Sequence, residues 1–174
     1  MLGISILQGV PVTKVSGRIS TLSTPAMIAL TTAIGLACWW FRQPAERQLR
    51  KATLVAALDI YKTAWERQDS DLILTIFTKD AIYHELVLQE PIRGHEGIAA
   101  YWQEKVVKGQ GDISFTLLNV CIDGTTGIAE WEVYFDDVVQ QRRKHMKEIA
   151  LLEFVGGKIA SLREYWSSEV IGES

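Results

Sequence analysis

The run of residues 158–169 constrains the fold of this chain more than any other part of its sequence. It follows the pair Gly156-Gly157, which is typical of a tight turn between two strands, and it carries the aromatic pair Tyr165-Trp166. This pattern predicts the last strand of a curved sheet. Three more strands are predicted before it, near residues 112–122, 127–137 and 144–155. The second half of the chain is therefore predicted to be mainly antiparallel sheet.

The predicted strand 127–137 indicates which face of the sheet is covered. Its apolar residues alternate with more polar ones, as expected for a strand with one buried face and one solvated face. The apolar set is Ala129, Trp131, Val133 and Phe135, and the other set is Glu130, Glu132, Tyr134 and Asp136. We expect the apolar set to face helices, and Trp131 to reach a cavity between the helices and the sheet.

Helical patterns dominate the region before these strands. Apolar residues recur at helical spacing between Leu54 and Trp65, which predicts a first helix. Ser70 or Asp71 is placed to cap a second helix, because a short polar side chain can accept hydrogen bonds from the exposed amides. The elements predicted next are a short helix, a strand and a third helix, at residues 72–77, 81–88 and 95–107. Helices followed by consecutive strands predict an α+β fold.

Charge and cysteine content exclude several classes of function. The chain has 174 residues and no acidic side chain before Glu46. The residues from Glu46 onward carry 15 basic and 21 acidic side chains, and such an acidic body argues against a nucleic-acid partner. Cys38 and Cys121 lie far apart and form no metal-ligand pattern, and His84 and His95 lack a spaced third ligand. No metal site is predicted.

The amino-terminal part is predicted to be separate from the folded domain. Residues 26–41 carry no charge and end in three aromatic residues before Arg42, which favours a transmembrane helix or signal anchor. The flanking basic residues favour a single-pass protein whose folded domain is cytoplasmic. A cleaved secretory signal and an organelle transit peptide are the alternatives. The predicted segments are an acid-free segment, the apolar helix, a basic linker and the folded domain, at residues 1–24, 25–42, 43–51 and 52–174.

Three segments carry a resemblance to a known superfamily, namely residues 80–85, 90–102 and 164–169. The chain resembles the nuclear transport factor 2-like (NTF2-like) superfamily, and within it the ketosteroid isomerase and SnoaL-like polyketide cyclase branch. The resemblance implies a cone-shaped, cystatin-like α+β fold, with three helices packed on a curved antiparallel sheet. It also implies a pocket for a small hydrophobic molecule and no cofactor.

The resemblance assigns catalytic roles to two residues. Glu85 matches the carboxylate that moves a proton between carbons, and Tyr61 matches the phenol that donates a hydrogen bond to the ligand oxygen. The family's second oxygen donor falls on Ala150, which cannot donate. His84 is expected on the face opposite Glu85, and Glu148 is expected one full strand repeat away from Ala150, so neither is expected to replace the missing donor.

Both residues also have structural interpretations. Glu85 could be a strand-end carboxylate paired with Arg93 or Arg163, and Tyr61 could be an ordinary core aromatic. Aromatic residues would shape the pocket in either case, because flat rings supply apolar area with little loss of rotamer entropy. The predicted ligand-binding residues are Trp65, Tyr83, Trp102, Trp131 and Trp166.

Two functions remain open from the sequence. The first is an isomerase or cyclase that transfers a proton on a polycyclic, ketone-like compound. The second is a noncatalytic ligand-binding or dimerisation module of the same fold. Ile149 and Leu151 are apolar on the outward face of a predicted strand, which predicts a homodimer through the sheet under either function.

Overall fold

The computed structural model describes residues 49–173. The predicted segments 1–24 and 25–42, and most of the linker 43–51, lie outside the described residues. In the described part of the chain, no helix is both long and apolar enough to cross a membrane.

Two helices open the described region. Helix α1, Lys51–Arg67, buries its apolar face, which includes Leu54, Leu58 and Tyr61. Helix α2, Ser70–Leu74, is capped by Asp69, whose side chain accepts hydrogen bonds from two backbone amides. The prediction of Ser70 or Asp71 as the cap is wrong, because Asp69 is the residue with an extended backbone at the first turn.

The first strand begins earlier than predicted. Strand β1 spans Phe77–His84 rather than residues 81–88, because its backbone pairs in parallel with the last strand from Phe77 to His84. This pairing also ends α2 before Phe77. Leu86, Val87 and Leu88 have no strand partner and are exposed.

The third helix is divided into two parts. A two-residue strand, β2 (Ile92–Arg93), leads into helix α3, Gly94–Trp102. A π-helical turn, Gln103–Val107, continues the chain where one helix over 95–107 is predicted. Such π-helical turns are frequent at functional sites, and this one lies at the cavity described below.

Four long strands follow these helices. They are β3 (Gln110–Asp123), β4 (Thr126–Asp137), β5 (Arg142–Val155) and β6 (Lys158–Glu173). The described sheet has the order β2-β1-β6-β5-β4-β3, and every pair is antiparallel except β1 with β6. Extra residues in β3 and β6 shift the register of their pairs and bend the sheet. The predicted α+β class with a curved, mainly antiparallel sheet is confirmed.

The core lies between the helices and one face of this sheet. Ala129, Trp131, Val133 and Phe135 are all buried on that face, as their alternation predicts. The intervening residues of β4 face outward and are only partly buried. The covered face therefore carries the aromatic core, and the outer face of β3–β6 carries no helix among the described residues.

Candidate functional site

A cavity of about 370 Å³ lies between the helices and the covered face of the sheet. Residues of α1, α3 and the π-helical turn line it on one side, and residues of β4, β5 and β6 line it on the other. Its volume is within the range of small-molecule sites. The lining includes seven aromatic residues: Tyr61, Trp65, Tyr83, Tyr101, Trp102, Phe135 and Trp166.

Two glutamates are buried in the wall of this cavity. Glu148 on β5 is 2% exposed and Glu164 on β6 is 4% exposed. Glu164 pairs across the strands with Ala150, and Glu148 pairs with Trp166, so the two carboxyl groups are diagonal neighbours on the same face. Within residues 49–173, neither carboxyl group forms an ion pair with a basic side chain. An unpaired buried carboxylate is costly, so this arrangement favours protonation.

Hydrogen bonds from three aromatic side chains orient the pair. The Tyr61 hydroxyl donates to Glu164 Oε1 at 2.7 Å, and the Tyr83 hydroxyl lies 2.9 Å from each oxygen of Glu164. The Trp131 indole N–H donates to Glu148 Oε2 at 3.2 Å. Glu148 Oε1 is buried and has no donor partner. A proton on this oxygen would satisfy it by donating to Glu164.

The pKa values of both carboxyl groups agree with this assignment. Burial raises the pKa of Glu164 to about 8, although the hydrogen bonds from Tyr61 and Tyr83 oppose the shift. Burial and the neighbouring charge of Glu164 raise the pKa of Glu148 well above its usual value. At neutral pH the pair therefore holds at least one proton.

Glu85 follows the end of β1 and faces the same cavity. It is partly buried, and burial raises the pKa of its carboxyl group, while the charge of Lys105 and the nearby Tyr101 hydroxyl act in the opposite direction. Among the described residues it forms no ion pair with Arg93 or Arg163, because Arg163 pairs with Glu153 at 3.0 Å. Glu85 is thus a partly solvated carboxylate with a proton affinity suited to a general base.

Tyr101 on α3 lies near both Glu85 and the buried pair of glutamates. Its ring packs edge-on against Tyr83 with centroids 5.3 Å apart, and Glu85 and Tyr83 both influence the pKa of its hydroxyl. Burial raises the pKa of Tyr101 above its ordinary value, so the phenol stays neutral. The phenols of Tyr101 and Tyr83 therefore lie between Glu85 and Glu164, and that of Tyr83 hydrogen-bonds to Glu164.

The two residues with predicted catalytic roles both reach the cavity. Tyr61 is fully buried, and its ring packs against Trp102 and Trp131 with centroids 5.6 and 5.4 Å apart. Its hydroxyl proton is directed at Glu164. The structure thus brings Tyr61 and Glu85 to one cavity, and their roles in chemistry stay predictions.

The predicted ligand-binding aromatics have different positions. Trp65, Tyr83, Trp102 and Trp166 line the cavity, and Trp166 also donates its indole N–H to the Glu85 carbonyl at 3.2 Å. Trp131 is fully buried behind the lining and reaches the site only through its hydrogen bond to Glu148. The assignment of Trp131 as a ligand-binding residue stays a prediction.

Sequence reasoning missed Tyr101 and Glu164, and it placed Glu148 outside the site. Glu148 is one repeat from Ala150 along β5, as expected, but its longer side chain reaches Glu164 diagonally. A signal was present, since Glu148 and Glu164 alternate in phase with the buried residues Met146 and Leu162. An acidic residue on an otherwise apolar strand face points to a functional carboxyl group.

Comparison with known proteins identifies the family to which this chain belongs. A family model described as a SnoaL-like domain matches residues 58–162. The chain therefore belongs to the SnoaL-like family of the NTF2-like superfamily, whose domains form ligand-binding cavities within this α+β fold. No curated protein sequence matches the chain. In residues 49–173, no three His, Cys, Asp or Glu side chains cluster in a way that could hold a metal.

Several solved structures share the fold. One is an LEH-like epoxide hydrolase from M. tuberculosis, with 17% identity and a TM-score of 0.56 over 67% of this chain and 84% of that chain. SalBIII, an epoxide hydrolase/cyclase-like enzyme with a role in pyran ring formation in salinomycin, has 17% identity and a TM-score of 0.59, covering 67% and 94%. A protein of ketosteroid isomerase-like fold from Catenulispora acidiphila, in complex with trimethylamine, has 17% identity and a TM-score of 0.58, covering 64% and 85%.

Proposed function

We propose that this protein is a cofactor-independent isomerase that moves a proton between two carbons of a small, largely apolar ketone. The observation that carries the proposal is the pairing of two kinds of carboxyl group in one cavity. Glu85 is partly solvated and can act as a base, while Glu148 and Glu164 are buried and hold a proton. Carboxyl groups with different environments can divide the roles of base and acid.

In the proposed reaction, Glu85 carries one proton from one carbon of the ligand to another. The Glu85 carboxylate takes a proton from the carbon beside the ligand carbonyl, and the C–H electron pair moves into the carbonyl group to form a dienolate. The protonated Glu85 then returns the proton to a more distant carbon as the carbonyl reforms. The double bond shifts, and the acid groups of the site stabilise the dienolate oxygen in between.

Opening of an epoxide is a second candidate, favoured by the buried protonated pair. In this reaction the pair would give a proton to the epoxide oxygen as its C–O bond breaks, and Glu85 would take a proton from the attacking hydroxyl group or water. The phenols of Tyr101 and Tyr83 would return that proton to the pair. The solved epoxide hydrolase and the hydrolase/cyclase-like enzyme of the same fold are consistent with this candidate.

The test is turnover by the full-length protein and a Glu85→Gln variant. Conversion of an aryl-substituted β,γ-unsaturated ketone to its conjugated isomer is followed by ultraviolet absorbance, and ring opening of an aryl epoxide is followed by chromatography. We expect wild type to turn over the ketone and Glu85→Gln to lose roughly 10²–10⁴-fold in rate, the usual contribution of a positioned base. Glu90→Gln is the matched control, since Glu90 is exposed in the same loop and does not line the cavity.

Each result distinguishes between functions. Loss of ketone turnover in Glu85→Gln alone supports the isomerase. Turnover of the epoxide alone supports ring opening by the same groups. Binding of both compounds without turnover of either would overturn the enzymatic proposal in favour of a noncatalytic ligand-binding module.

A further inference from the structure

We infer that Glu164 is the catalytic acid of this cavity, that Glu148 is the residue that positions its proton, and that the site selects uncharged ligands with an acceptor oxygen. The inference rests on the proposed use of the cavity by an oxygen-bearing ligand. It adds to that proposal a donor, a positioning residue and a ligand class.

The hydrogen bonds around Glu148 and Glu164 account for one proton on the pair but provide no acceptor for a second proton. With one proton on Glu148 Oε1, Trp131, Tyr61 and Tyr83 donate to the remaining oxygens, and every polar atom of the pair has a partner. A second proton, on Glu164, would turn one of these hydroxyl groups away from the pair unless another atom accepts it. That proton needs an acceptor outside the pair, and the cavity is the open space beside it.

The position of Glu164 suits a donor to the ligand. Ala150 stands where the family resemblance expects a donor, and Glu164 is its direct partner on the neighbouring strand, facing the same cavity. Glu164 therefore brings a carboxyl group to the place where β5 lacks one. Glu148 acts through Glu164, because the proton that it donates occupies one oxygen of Glu164 and so determines where the Glu164 proton can lie.

The charges around Glu164 decide the ligand class. Five titratable side chains surround it from four elements and the loop after β1, and none of them is basic: Tyr61, Tyr83, Glu85, Tyr101 and Glu148. Two lysines also line the cavity, but Lys105 is exposed and Lys144 pairs with Asp137 at 2.7 Å, so an anionic ligand beside Glu164 would meet three glutamates and no unpaired buried cation. A neutral ketone or alcohol can accept the Glu164 proton without bringing a charge into the cavity.

Three probes of similar shape test the inference in the full-length protein: acetonaphthone, naphthoate and (aminomethyl)naphthalene, which are neutral, anionic and cationic. Binding is measured by quenching of tryptophan fluorescence, since several tryptophans line the cavity. We expect acetonaphthone to bind at least roughly tenfold more tightly than either charged probe at neutral pH. Its affinity falls as the pH rises through about 8, the value to which burial raises the pKa of Glu164.

Two variants separate the acid from its positioning residue. Glu164→Gln keeps an acceptor for Tyr61 and Tyr83 but has no proton to lose, so acetonaphthone binding becomes independent of pH in this window. Glu148→Leu removes the proton donor that favours the ionised form of Glu164, so the midpoint moves to higher pH. A purely structural role for Glu148 would change the affinity without moving the midpoint.

The binding experiments can fail or succeed independently of the turnover test. A flat pH profile of acetonaphthone binding in wild type would overturn the inference. Tightest binding of the cationic probe would also overturn it, because it would show that the carboxyl pair is ionised and binds an ammonium group. The wild-type profiles decide this even if a variant does not fold. pH-dependent ketone binding without isomerisation would leave the acid assignment intact and remove the isomerase.

Discussion

Glu148 and Glu164 occupy strand positions that would ordinarily hold apolar side chains. Removing a carboxyl group from water disfavours its ionised form, so the folded protein holds protons that the unfolded chain releases. The two residues therefore link the stability of the fold to pH as well as serving the site. Tyr61, Tyr83 and Trp131 reduce this cost by hydrogen bonding, but they do not cancel it.

We predict that the protein becomes less stable as the pH rises from about 5 to about 8. The pKa values of Glu148 and Glu164 are raised in the folded state, so the folded state binds more protons than the unfolded state in this window. The free energy of unfolding then falls, by up to about 1.4 kcal/mol per pH unit for each group. Urea denaturation at several pH values measures the slope.

The matched variant for this measurement is Glu164→Gln. It should lose part of the decline in stability across this window, because the amide does not titrate, while burial still raises the pKa of Glu148. Glu153→Gln, which alters an exposed ion pair with Arg163, should retain the wild-type slope. A wild-type free energy that rises through this window would show that the pair is ionised in the folded protein.

At the scale of elements, the alternation of β4 predicted its buried face correctly because the side-chain period of a strand is two regardless of context. The bounds of β1 were not predictable in the same way. They depend on pairing with β6, whose partner residues lie more than 75 positions away. The reach of Glu148 to Glu164 also depends on strand register, which sequence alternation does not give.

The cap of α2 offers a test of local structure. Asp69 accepts hydrogen bonds from the amides of Asp71 and Leu72 at 3.1 and 2.8 Å. We predict that Asp69→Ala lowers the free energy of unfolding by about 1 kcal/mol, the usual value of such a cap. Ser70→Ala is the control, with little expected change, and both are measured by urea denaturation. A larger loss in Ser70→Ala than in Asp69→Ala would contradict the assignment of the cap.

At the scale of the whole molecule, an open groove of about 440 Å³ is lined by residues from both faces of β5 and β6, among them Glu148, Glu164 and the outward-facing Ile149 and Tyr165. Leu86 and Val87 lie on one side of this groove, and Ile149 and Tyr165, each 47% exposed, lie on the sheet. Apolar side chains in this setting favour a protein partner. We propose that the partner is a second copy of this chain, as the outward position of Ile149 already predicts.

A single charge in this groove tests the homodimer. Ile149→Glu should convert a dimer to monomers, because the twofold relation of two copies places the new charge twice in one apolar interface. Sedimentation velocity measures the mass of each species. Val155→Glu is the control, since Val155 is exposed near the turn to β6 and does not line the groove. A monomeric wild type, or a dimer that persists in Ile149→Glu, would contradict the proposal.

The central position of β6 in the sheet has a consequence for folding during synthesis. A ribosome makes β1 long before β6, yet β6 is inserted between β1 and β5. Until then, β1 has an open edge where its parallel neighbour will lie, and Tyr61 and Tyr83 lack the acid that they will hold. The nascent chain therefore cannot assemble this site until β6 is made, and the edge of β1 stays open for about half of the synthesis.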